Sequence, residues 1–408
     1  MHKPMDTREK GKGASRTREH LVNGICGTRF SSERGSQMRL SRLVASVVFV
    51  VALGSAAMAD GFDPSLLEYQ GAFKTGSRYA GTGLAYDPSG DGGNGTLLTN
   101  GTGGGTWLYS HRMDAAPKIT GDASALNKAT QVFRNAWQSG TAGGGMDCVG
   151  DKVYGVSSDG SHNGKAGYSN LDGSAPAGYG GTWRLNPNPG RRIEDHVSLV
   201  PQNWVTTVLA PRGYGDYFLS CGGDWSQYGG GPAMHVYDAD TPVDHDTNPG
   251  TPDVLPAKTL MSYSTGSPVP GWDTDDRWNG SAWVEMGDQT YFLLTGRKDV
   301  GGGTFEATIL VYDAQDFVDV LDGVKQVDDP APIYTISVQD KMFGSDDQLG
   351  GAVYLPDSGL LYSMISKGGS DHIVHVWKIN QPKPDTIPEP AGLGLIGLAL
   401  LGLKKKRS

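Results

Sequence analysis

The sequence predicts an all-β fold, a β-propeller of five blades, with a length compatible with five to seven. Three observations lead there. The first is composition: 61 Gly and 23 Pro among 408 residues, with 17 Tyr and 9 Trp, a mixture that favours many short strands and turns. Charged residues make up only 19%, too few for a disordered chain with so many aromatics. The second is self-similarity. Asp216–Gly222 followed by Ala233–Asp240 resembles Gln289–Gly296 followed by Ile309–Asp316, and again Gly359–Ser366 followed by Ile373–Ile379. Tyr217, Tyr291 and Tyr362 mark the same place in each unit, 74 and 71 residues apart. The third is the content of one unit. Ser281–Met286, Thr290–Thr295, Thr308–Tyr312 and Pro332–Val338 read as four strands, the size of a propeller blade.

The remaining units follow in order. Gly83–Pro88 with Gly95–Thr99 resembles Gly351–Pro356 with Gly359–Tyr362, and Thr106–His111 adds a strand. A weaker unit surrounds Val149–Val156 and Gly181–Leu185. The last unit offers three strands before a Pro-rich segment, so residues near Leu67–Phe73 are expected to supply its outer strand. Between blades, Ala125, Leu126, Ala129, Val132, Phe133 and Ala136 recur at helical spacing, predicting a short helix in Ala123–Trp137. A jelly-roll β-sandwich is the competing architecture. Neither a WD dipeptide nor a kelch Gly-Gly pattern repeats in phase.

Both ends read as addresses. Arg39, Arg42, the apolar run Leu43–Leu53 and Ala57-Met58-Ala59 have the order of a secretory signal over residues 38–59. Translation is expected to start at Met38, which sets residues 1–37 apart as an upstream leader. Residues 60–383 are the folded domain. Residues 384–408 hold a spacer, Pro388-Glu389-Pro390, the apolar run Ala391–Leu403 and Lys404–Arg407. The apolar run reaches only about 20 Å as a helix, which suits brief membrane retention. This tail resembles the PEP-CTERM sorting signal of Gram-negative bacteria. The resemblance covers about the last 22 residues and implies processing near Pro388, Glu389 and Pro390 by an exosortase, after export by the secretion machinery. It further implies an outer-surface or matrix location in a species that makes exopolysaccharide.

Charge narrows the partners. Residues 60–403 carry 21 basic and 40 acidic residues, which argues against nucleic acid or an anionic membrane surface. Only five of those acids are Glu. The Asp excess fits turn caps, and it fits calcium sites.

Candidate site residues fall into four groups. Asp275-Asp276 and Asp346-Asp347 each lie sixteen residues before the marker tyrosine of their unit. They read as a calcium or glycan site beside the axis, or as turn caps. Asp244, Asp246 and Asn248 have alternating oxygen donors, but Leu255 stands where an EF-hand needs its bidentate Glu. Trp225, Tyr228, Trp272 and Trp278 lie in Gly/Asp-rich segments and offer faces for sugar rings, or cap the blades. Asp276 with Glu285 is the candidate pair for a two-carboxylate glycosidase. Cys148 and Cys221 form an even pair in an oxidising compartment, either a disulfide or two buried thiols. No G-x-S-x-G elbow, H-E-x-x-H motif or phosphate loop is present. His235 and His375 occupy equivalent third strands, which suits packing. Three functions stay open: a glycan- or matrix-binding module, a carbohydrate-active hydrolase or lyase, and a structural matrix protein.

Overall fold

A computed structural model describes residues 61–381 except 76–82, 102–106, 137–143, 159–163, 175–181, 187–192, 194, 224–230, 241–252, 264–270, 274, 344–347 and 366–371. The expected signal peptide, with Ala57 and Ala59, and the tail with Pro388, Glu389 and Pro390 lie outside the described residues. So do Asp244, Asp246, Asn248, Asp346, Asp347, Trp225 and Tyr228. Among the described residues, no helix is long and apolar enough to cross a membrane.

The first strand, β1 (Leu67–Lys74), waits for the end of the chain. Blade one is β2 (Leu84–Asp87), β3 (Thr96–Gly101), β4 (Trp107–Arg112) and β5 (Gln131–Ala136). Blade two is β6 (Met146–Val149), β7 (Lys152–Ser158), β8 (Gly164–Asn170) and β9 (Thr182–Asn186). Blade three is β10 (His196–Leu199), β11 (Leu219–Gly222), β12 (Ala233–Tyr237) and β13 (Asp253–Ser262). Blade four is β14 (Arg277–Met286), β15 (Gln289–Gly301), β16 (Thr304–Asp313) and β17 (Tyr334–Ser337). Blade five is β18 (Leu349–Leu355), β19 (Leu360–Ile365), β20 (Ile373–Ile379) and, outermost, β1. Strands within a blade are antiparallel neighbours. The outer strands β13 and β9 pair in parallel, so blades two and three share one sheet.

The first strands adjoin cyclically: β2 with β6, β6 with β10, β10 with β14, β14 with β18, and β18 with β2. That ring is a five-bladed propeller and excludes the jelly-roll sandwich. The N-terminal segment closes it as the sequence predicts. β1 pairs with β20 from Leu67↔Ile379 to Lys74↔Ile373, with a bulge between Tyr69 and Gly71.

Each blade is apolar on both faces because it is packed between two others. Along β15, Phe292 and Leu294 face blade three, while Tyr291 and Leu293 face blade five. On β3, Leu97 packs toward blade five and its neighbour Leu98 toward blade two. Period-two alternation therefore places alternate residues in two different cores. Each of the five interfaces between consecutive blades has its own apolar cluster.

Two local expectations are corrected. The described part of the expected helix, residues 123–136, does not form an α-helix. It contains a 3-10 turn at Ala123–Ala125 and then β5, whose pairing with β4 uses Gln131–Ala136 as the outer strand. Sheet pairing overrides a helical spacing that Ala-rich segments meet easily. Conversely, β16 runs directly into α1 (Ala314–Leu321), which the sequence reading missed. Asp313 caps it by accepting from the Gln315 N–H at 2.9 Å, and Ala314, Phe317 and Val320 are buried.

Candidate functional site

All five first strands contribute to one cavity of about 470 Å³ on the axis, at their C-terminal ends. β2 supplies Tyr86, β6 Asp147, β10 Ser198, β14 Trp283 and Glu285, and β18 Tyr354. The turn from β18 to β19 adds Asp357, and the connection from β10 to β11 adds Gln202. That connection is long. It coils through Gln202–Arg212, and its Trp204, Val205 and Leu209 are buried between blades three and four. Packing of this coil fixes the rim beside Leu199.

A buried hydroxyl network holds the inner wall. Ser198 Oγ lies 2.9 Å from Ser281 Oγ and 3.0 Å from Ser220 Oγ. The Trp283 indole N–H donates to Ser220 Oγ at 2.8 Å. The network satisfies each hydroxyl and ties β10, β11 and β14 together, so the Trp283 ring is fixed before any ligand arrives.

Asp147 is the most perturbed acid of the cavity. Its Oδ2 accepts from the Leu199 N–H at 2.6 Å and its Oδ1 from the Cys148 N–H at 2.8 Å. These bonds favour the carboxylate, but burial outweighs them and pushes its pKa up to about 6. The residue keeps some exposure through the cavity, while protein atoms crowd the carboxyl itself. The Tyr354 pKa is raised chiefly by burial; a hydrogen bond with Gln381 opposes the shift and the charge of Glu285 adds to it. Gln381, where the described chain ends, donates to the Glu285 carbonyl at 3.1 Å and to Tyr354 Oη at 3.4 Å. Gln381 therefore lies beside this cavity.

The sequence-predicted residues are distributed differently. Asp276 precedes β14, and Glu285 stands near its end. Nine residues of strand separate them, roughly 30 Å at about 3.3 Å per residue, so the structure does not assemble this pair as a glycosidase dyad. Glu285 lines the axial cavity, whereas Asp276 serves its own loop. Asp276 is buried, accepts from the Asp299 and Asp273 N–H groups at 2.7 and 3.1 Å, and pairs with Lys298 at 3.2 Å. Asp275 is exposed, and its carboxylate groups with those of Asp273 and Asp299, with one oxygen from each within 4.8 Å of the others. The acid-pair loop lies at the N-terminal end of β14, opposite the end where the cavity opens.

Trp278 is fully buried in β14 and edge-on to Trp272 at 5.9 Å, so it is a core residue and offers no face to a sugar. Trp272 is half-buried against Tyr263, with Lys298 Nζ 5.4 Å from its ring centre. Cys148 and Cys221 are free and buried in different interfaces, which removes the disulfide. Burial raises both thiol pKa values.

Sequence reasoning missed Asp147, Ser198, Tyr86, Tyr354 and Asp357. One signal was available. The resemblance of Gly83–Pro88 to Gly351–Pro356 aligns Tyr86 with Tyr354, and these two tyrosines line the cavity from adjoining strands.

No family model matches the chain, and no curated protein matches it. Solved structures with a distant likeness include a chain described as a candidate glycoside hydrolase from Parabacteroides distasonis, at 9% identity and TM-score 0.39, covering 79% of this chain and 95% of that one. Another is Bacteroides ovatus xyloglucan PUL GH43B, at 10% identity and TM-score 0.38, covering 76% of this chain and 56% of that one. A third is the WD40 domain of Toxoplasma gondii coronin, at 9% identity and TM-score 0.27, covering 78% and 86%. Likenesses this distant carry no residue roles.

Proposed function

We propose that this is an exported, surface- or matrix-associated propeller that binds a saccharide in its axial cavity and is sorted through its C-terminal tail. The observation that carries the binding reading is convergence. Five strands from five blades bring two tyrosines, a tryptophan, buried serines and carboxylates to one cavity within the usual size range of small-ligand sites. Aromatic faces cover the apolar side of a sugar ring, and carboxylates and hydroxyls accept or donate to its hydroxyls. A purely structural matrix protein has no need of such a lining. Secretion machinery and an exosortase are the proposed partners in sorting, and exopolysaccharide the proposed matrix.

The test is retention of the purified protein on a panel of polysaccharides, with mass spectrometry for released fragments. Tyr354→Ala should abolish retention. Retention unaffected by that change would end the cavity reading.

A hydrolase remains the second reading, and one observation favours it. Asp147, with its pKa near 6, and Glu285 line the same cavity from different blades. A carboxyl poised there holds or releases a proton near neutral pH, as general acid–base chemistry requires. Released fragments that vanish in both Asp147→Asn and Glu285→Gln would establish it. In this reading the calcium expectation plays no part.

A further inference from the structure

The axial cavity is open at one end and closed at the other. At three of the five junctions between first strands, glycines bring neighbouring backbones together at or near the N-terminal ends, and the described cavity lining stops at Ser198, Ser281 and Ala352, short of those ends. A Cβ on Gly145 would stand 2.3 Å from the Cα of His196, so β6 and β10 leave no room for a side chain. A Cβ on Gly280 would stand 2.0 Å from the Gly350 carbonyl, closing β14 on β18. One on Gly83 would stand 2.9 Å from the Gly144 carbonyl, closing β2 on β6. Gly83, Gly145, His196, Gly280 and Gly350 are all buried. Exposure rises toward the other end, where Leu199 is 43% exposed and Pro356 and Asp357 are exposed. The cavity is a blind pit.

Its charge is one-sided. Asp147, Glu285 and Asp357 line it, and its described lining includes no Lys, Arg or His. An anionic ligand entering the pit would meet carboxylates with no cation to offset them.

Resting on the saccharide reading, we infer that the pit takes the terminal unit of a neutral or amino-bearing saccharide, entered end-on. A polymer cannot thread a closed axis, and a cavity of about 470 Å³ holds a small-ligand-sized piece of chain. Uronate-bearing and sulfated chains are excluded by charge.

The experiment titrates the full chain with linear oligosaccharides of glucose, xylose and glucosamine, with linear oligogalacturonate, and with a cyclic glucose oligosaccharide that has no ends. At least one neutral or amino linear oligomer should bind, with the cyclic and anionic probes at least tenfold weaker. For the polysaccharide that is retained, partial hydrolysis should raise competition per unit mass in proportion to chain ends. Leu199→Trp, an exposed rim change that leaves the core alone, should weaken binding at least tenfold. The inference is overturned if the cyclic or anionic probe binds as tightly as the linear neutral ones. It is also overturned if competition follows mass instead of ends, or if Leu199→Trp binds unchanged. If no saccharide binds, the saccharide reading itself falls.

Discussion

Three buried histidines should make the propeller acid-labile over a narrow range. His111, His196 and His375 are held down to about 3 from an ordinary 6.5, in each case chiefly by burial. His111 also faces the positive charges of His372 and Lys128. The His196 Nε2–H donates to the Ala233 carbonyl at 3.2 Å, which offsets part of its shift. His375 Nδ1 lies 2.9 Å from the Tyr69 hydroxyl, joining β20 to β1. The folded pKa values are depressed, so the unfolded chain binds protons that the native state refuses. Stability is then intact above about 6.5 and falls as the pH drops toward 3. Each unit of pH below 6.5 costs about 1.4 kcal/mol per histidine, so three of them at pH 5 remove about 6 kcal/mol. Asp147 works the other way. Its folded pKa is raised to about 6 from 3.8, so between pH 6 and 5 the native state alone takes its proton and regains about 1 kcal/mol. The net loss from pH 7 to 5 is about 5 kcal/mol, comparable with the whole stability of many domains. Urea unfolding followed by tryptophan fluorescence at half-unit steps measures it directly. His375→Gln should flatten the pH slope by about a third. Equal unfolding free energies at pH 7 and 5 would refute the reasoning.

Further outcomes follow from single contacts. Phe73→Ala in β1 removes a buried ring from the interface of blades five and one and should cost about 3–5 kcal/mol by thermal melting. Trp283→Phe deletes one donor to Ser220, whose hydroxyl keeps the Ser198 carbonyl and hydroxyl as partners, so the loss should be about 0.5–1.5 kcal/mol in the same assay. Asp147→Asn removes the one group whose raised pKa opposes the histidines, so it should steepen the loss of stability between pH 6 and 5 by about 1 kcal/mol while reducing saccharide retention. A chain starting at residue 60 should show two titratable thiols in denaturant and none when native, and reductant should leave its melting midpoint unchanged.

The propeller was legible because its blades are buried on both faces. Runs such as Tyr291–Leu294 and Ile309–Tyr312 are continuously apolar, and they recur at one spacing, so strand, blade and closing strand could all be read. Blades one and two read more weakly because β2 and β6 have only four residues each and show little pattern. The site was far less legible. It takes between one and four residues from each of five strands that are a whole blade apart in the chain, and none forms a recognisable local motif. Asp275-Asp276 attracted attention because adjacent acids are conspicuous in sequence. Their loop meets β14 at its closed end, where Lys298 and two backbone N–H groups absorb the charge of Asp276. Trp278 misled for a related reason: a tryptophan in the polar run Asp275-Asp276-Arg277-Trp278-Asn279 suggests a loop, but it stands at the start of β14.

The pairing of β1 with β20 also sets an order of events. Leu67 and Ile379 lie 312 residues apart in sequence, and closing so large a loop is entropically costly and slow. Until blade five arrives, blades one to four lack the surface against which Leu84 and Leu97 pack. Any machinery that delivers the chain from its N-terminus, ribosome or translocation pore, therefore handles an unlatched molecule until residue 379 has emerged. Loss of the final strand by early termination would leave every other blade complete and the ring still unable to shut.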